Sequence, residues 1–110
     1  MPVTFTQVQT LALGLPEAHT QEHHGFPSFR VGARIFATFP DDAHVNVMLS
    51  PEQVPWALAL DPAFEALHWG QKLAGVRIDL NAAELEPVGV VLEQAGRRVA
   101  TKRGLKERPG

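Results

Sequence analysis

The sequence contains no cysteine and no tyrosine. Without thiols there is no disulfide, no thiolate zinc or iron–sulfur centre and no cysteine nucleophile. Long apolar runs are also missing. Blocks such as Trp56 to Leu60 are far too short to span a bilayer, so no membrane association is expected. Residues 1–7 carry no positive n-region followed by an apolar stretch; no signal peptide is read, and a cytoplasmic location is expected. Only two serines occur, Ser28 and Ser50, and neither lies in G-x-S-x-G. No P-loop and no G-x-G-x-x-G is present. The Asp41-Asp42 pair falls in a turn, where aspartate is favoured for conformational reasons. No catalytic activity and no cofactor are therefore expected.

What is present describes a folded globule. The 110 residues are 45% hydrophobic and 20% charged. A chain of this length can bury roughly 65% of its extended surface, enough for one core. A single domain over 1–110 is expected, with a basic C-terminal extension from about residue 97. The formal charge of −2 conceals a split. Residues 1–96 hold four basic and eleven acidic side chains (−7), whereas residues 97–110 hold six and one (+5).

The elements follow from spacing. Thr4-Phe5-Thr6-Gln7 is a capping-box pattern, and Phe5, Val8, Leu11, Ala12 and Leu15 continue at helical intervals until Gly14 and Pro16. A hairpin is expected around Gly32-Ala33, but two signals compete for its register. A two-residue Gly-Ala loop fits a type II′ turn. A three-residue loop ending at Arg34 instead gathers Phe29, Val31, Ile35, Ala37 and Phe39 on one face, and the hydrophobic pattern favours it. His44 to Leu49 reads as a strand with Val45, Val47 and Leu49 inward. Ser50-Pro51-Glu52-Gln53 reads as a helix start. Val76 to Leu80 alternates as a strand. Asn81 to Glu84 caps a last helix with the stripe Leu85, Val88, Leu92, Ala95 and Val99, in which Pro87 predicts a kink or a late start. The economical packing is α+β, an antiparallel sheet with helices on one face.

The run Gly25-Phe26-Pro27-Ser28-Phe29-Arg30-Val31-Gly32-Ala33-Arg34-Ile35-Phe36-Ala37-Thr38 resembles the signature of the MmcQ/YjbR family. So do Val45 to Glu52 and the Val76 to Leu80 strand. This resemblance, nearly full length, implies a CyaY-like two-layer α/β sandwich, the fold shared with frataxin. It also implies DNA binding, a role assigned to the family on a double-wing arrangement of its hairpins. The sequence departs from the family at Met48, where a lysine is common, and at Gly75, where an aromatic is common. Frataxin-type iron binding uses carboxylates along the first helix and strand. Residues 1–16 have none, so iron delivery by that route is not expected.

Two surfaces are candidates for function. The first is basic: Arg97, Arg98, Lys102 and Arg103 near the C-terminus, with Lys106 and Arg108 beyond, and Arg30, Arg34 and Arg77 on or beside the hairpin sheet. Such clusters attract nucleic-acid phosphates, DNA foremost, by releasing counterions. The plainer reading is that C-terminal cations offset the helix dipole or are merely solvated. Residues 97–110 hold no aromatic, which excludes base stacking from that segment. The second surface is the sheet face away from the helices, expected to show Arg30, Phe36, Thr38, Asn46, Met48, Arg77 and Asp79. It would suit a nucleic acid or a protein partner, a second copy of the chain included. His19, His23 and His24 are not spaced to share a metal ion on a strand, and no metal site is expected. Trp56 and Trp69 read as packing residues.

Overall fold

The computed structural model describes residues 2–23 and 25–107, and of 23 and 101–107 the backbone alone. Helix α1 (Phe5–Leu13) starts as its capping box requires: the Gln7 amide donates to Thr4 Oγ1 at 3.1 Å and the Thr4 amide to Gln7 Oε1 at 2.9 Å. Six strands follow: β1 (Ala18–His23), β2 (Phe26–Val31), β3 (Arg34–Thr38), β4 (His44–Met48), β5 (Phe64–Trp69) and β6 (Lys72–Asp79). A short helix, α2 (Val54–Leu58), separates β4 from β5, and α3 (Leu85–Glu107) ends the described chain. The strands form one antiparallel sheet in the order β1-β2-β3-β4-β6-β5, so the expected α+β two-layer architecture is present. Val8, Val45, Val47, Ile78, Val88 and Leu92 are among the buried side chains that fill the space between sheet and helices.

The β2–β3 hairpin corrects the expected register. Val31 pairs with Arg34 across the two-residue Gly32-Ala33 turn, and Arg30 pairs with Ile35. Beyond them Phe29 pairs with Ala37 and Ser28 with Thr38, so the count slips by one at Phe36. This is a β-bulge, and it lets two successive residues point the same way. Phe36 and Ala37 are both fully buried, while Ile35 turns to the open face of the sheet. The tight turn and the hydrophobic row are both kept because one extra residue absorbs the conflict. Phe36 thus belongs to the core rather than to the open face, and Ile35 takes the place expected of it.

Other differences are local. Ser50 to Gln53 form a turn in which Gln53 Oε1 accepts the Ser50 amide at 3.0 Å, and α2 begins only at Val54. In α3 the expected Leu85 is 41% exposed and Val91 is buried in the stripe. Pro87 lies in the first turn, where its missing N–H has no intrahelical partner to lose. The α3 start is instead held by Asp61, a buried carboxylate that accepts the Ala63 amide at 2.8 Å and the Glu84 amide at 2.9 Å.

Gly75 has a steric role. It pairs with Met48 on β4, and a Cβ placed there would overlap the Val47 carbonyl oxygen and crowd the Leu49 amide. Gly75→Ala should therefore force β4 and β6 apart, costing about 1–3 kcal/mol. For a domain of this size the melting temperature should fall by on the order of 10 °C, measurable by circular dichroism.

Candidate functional site

Both outer hairpin tips on one end of the sheet have the same construction. Gly32 (φ 62°) opens the two-residue turn after Val31, and Gly70 (φ 64°) opens the two-residue turn after Trp69. Neither Ala33 nor Gln71 has positive φ, as a type II′ turn requires. The first residue after each turn is a cation, Arg34 on β3 and Lys72 on β6. Helix α3 runs toward this same end, and its Arg98 lines a cleft together with residues of both hairpins. Arg34, Lys72 and Arg98 line one cleft of about 290 Å³, whose apolar wall includes Ile35, Met48 and Trp69.

Among the described residues none of the three cations makes an ion pair, and no carboxylate lines the cleft. Like charges held together raise the local potential and favour an incoming anion. Several acidic groups lie at the other end, while Glu17 and Glu52 are at this one but outside the cleft lining. Asp41 and Asp42 occupy the β3–β4 turn, and Asp79 ends β6 roughly 23 Å of extended chain from Lys72. The chain's uneven charge along the sequence is therefore also uneven along the sheet.

The expected basic residues divide in space. Arg34 and Arg98 line the same cleft. Arg30 is on the open face but its Nε donates to Ser28 Oγ at 3.1 Å, and that hydroxyl donates to the Gln21 carbonyl at 2.8 Å. Arg77 donates from Nε to Asn46 Oδ1 at 3.1 Å. Neither lines the cleft. Arg97 faces Leu15, Pro16 and Glu17 on another side of α3, where Glu93 pairs with it at 2.9 Å. Lys102, Arg103 and Lys106 continue the α3 backbone past the cleft, but their side chains lie outside the described residues, as do Arg108 and His24 entirely.

Two residues at this end escape sequence reasoning. Lys72 is a lone lysine in an acidic stretch, and Trp69 reads as core. Trp69 is in fact 61% exposed, and Trp56 is exposed as well. The pattern Gly, any residue, cation of Gly32-Ala33-Arg34 returns in Gly70-Gln71-Lys72, but it also starts at Gly75, Gly96 and Gly104, so by itself it marks neither Lys72 nor Trp69.

A groove of about 520 Å³ adjoins the cleft on the open sheet face. Phe26, Phe39 and Pro40 close its far end, Thr38 and Asn46 supply polar groups, and Ile35, Met48 and Trp69 belong to both groove and cleft. Thr38, Asn46 and Met48 are thus on the open face as expected, without Phe36.

At the acidic end, Asp41 Oδ1 accepts the Ala43 amide at 2.7 Å and lies 3.0 Å from His44 Nδ1. The hydrogen bond from His44, with the Ala43 amide second, holds the Asp41 carboxyl below its ordinary value. A depressed folded value means this contribution to stability is present at neutral pH and is lost as pH falls through the folded value. A carbon-detected NMR titration should show Asp41 titrating low, and His44→Ala should move it back toward 3.8.

Fold and site together define a small two-layer α+β protein with an open sheet face and a positively charged end. The family model for YjbR matches residues 13–88, and the chain belongs to the YjbR family. The matched segment includes Arg34, Trp69, Lys72 and the whole groove, and stops in the first turns of α3, short of Arg98. Comparison with curated proteins and with solved structures gives no match. Among the described residues no helix is long and apolar enough to cross a membrane.

Proposed function

We propose that this protein binds nucleic acid, with backbone phosphate held between Arg34, Lys72 and Arg98. The observation that carries this reading is their convergence from two hairpin tips and a helix onto one cleft that no carboxylate lines. A net charge of −2 gives no general attraction for polyanions, so binding depends on this local arrangement. Side chains that touch phosphate position a nucleic acid without reading its sequence. The α3 backbone leads Lys102 and Arg103 onward from the same end, where they would extend the contact.

Fluorescence anisotropy with a labelled DNA at several salt concentrations tests the reading. If the three cations each neutralise one of the successive phosphates in and beside the cleft, the slope of log K against log salt should be about −2 to −3. No binding at low salt, or binding indifferent to salt, overturns it. Arg97→Glu is the internal control: its guanidinium already pairs with Glu93 away from the cleft, so affinity should change little.

The open sheet face also suits docking of a protein or a second copy. That reading keeps Thr38, Asn46 and Met48 but loses Phe36, which lies in the core.

A further inference from the structure

The groove and the cleft are one continuous surface. Ile35, Met48 and Trp69 line both, so a ligand can place an anionic group among Arg34, Lys72 and Arg98 while an attached planar group lies in the groove. We infer that the preferred ligand is single-stranded nucleic acid, with one unpaired base in the groove against Trp69 and its neighbouring phosphate in the cleft. This rests on the reading of the cleft as a phosphate site and goes further by naming the form of nucleic acid.

Three observations carry it. Trp69 is a large indole, 61% exposed, standing beside three cations, and an indole face can stack on any base. The groove, at about 520 Å³, falls within the range of sites that enclose small organic groups. Its polar groups also suit a base edge. The Arg77 Nε–H can be accepted only by an oxygen, so the Asn46 amide is oriented with Oδ1 toward Arg77. Its amino group has no protein acceptor among the described residues, and Asn46 and Thr38 both line the groove. Bases in a duplex are stacked on both faces and paired on one edge, so they cannot enter such a groove without being unstacked and unpaired.

The test measures binding of three probes to the full chain. These are a short oligothymidylate, a duplex containing the same strand, and an abasic strand with the same phosphates. The single strand should bind at least about tenfold more tightly than either of the others. Trp69→Ala should remove that advantage while leaving weak, salt-dependent binding; Trp69→Phe should restore most of it. Because Trp69 is exposed, neither substitution threatens the fold. Lys72→Glu should weaken all three probes. Duplex binding equal to single-strand binding and indifferent to Trp69→Ala overturns the inference but leaves phosphate binding intact. Failure of every probe at low salt overturns both. Self-association that Trp69→Ala abolishes would assign the groove to a second copy and overturn the inference.

Discussion

Phe36→Ala should lower the unfolding free energy by about 3–5 kcal/mol in a urea titration. The side chain has no exposure, its ring centroid lies 6.4 Å from that of Phe29, and Phe29 in turn meets Phe39 edge-on at 5.7 Å. Phe39 continues the aromatic series to Phe5 at 4.6 Å, so the lost ring would leave a cavity beside this aromatic cluster. A domain of this kind has a total stability of roughly 5–15 kcal/mol, and the variant would sit near the edge of folding. Ile35→Ala is the companion measurement. Ile35 is only half-buried on the open face, so its loss should cost well under half as much. If the two costs are reversed, the bulge is misplaced and the three-residue turn is the true register.

The paired substitution Arg34→Glu and Arg98→Glu should weaken nucleic-acid binding on the order of a hundredfold at low salt. A charge-assisted hydrogen bond contributes about 1.5–3 kcal/mol, and about 1.4 kcal/mol is already tenfold, so two lost contacts account for the effect. The salt slope should also become shallower by nearly two phosphates' worth. Arg34 is exposed and Arg98 half-exposed, and neither has a structural ion pair among the described residues, so the melting temperature should barely move. Wild-type affinity in the double variant would remove the cleft from consideration. Arg30 gives a further contrast, since its Nε serves the Ser28 hydroxyl rather than the cleft.

How much of this could be read in advance depended on range. The α1 cap, the inward Val45, Val47 and Leu49, and most of the α3 stripe are set by neighbours within one turn or two strand positions, and all appear as expected. The edge strand β1, Ala-His-Thr-Gln-Glu-His, has almost no apolar pattern because its pairing with β2, not burial, makes it a strand. The second hairpin, β5 to Lys72, was equally faint. Its Gly70 turn resembles the first, but an exposed tryptophan and a lone lysine look unremarkable without their neighbours.

By itself the sequence determined the α+β composition, the family, the absence of thiol chemistry and the division of charge into a −7 body and a +5 end. These depend on residue type and local order, which the chain carries whether folded or not. Tertiary structure decided that Phe36 goes inward, that Arg97 lies outside the cleft beside Glu93, and that Arg34, Lys72 and Arg98 share one cleft beside Trp69. Those outcomes turn on one bulged residue and on the pairing of strands far apart in the chain. A single-residue slip rotates every side chain beyond it, and no local preference can count that slip.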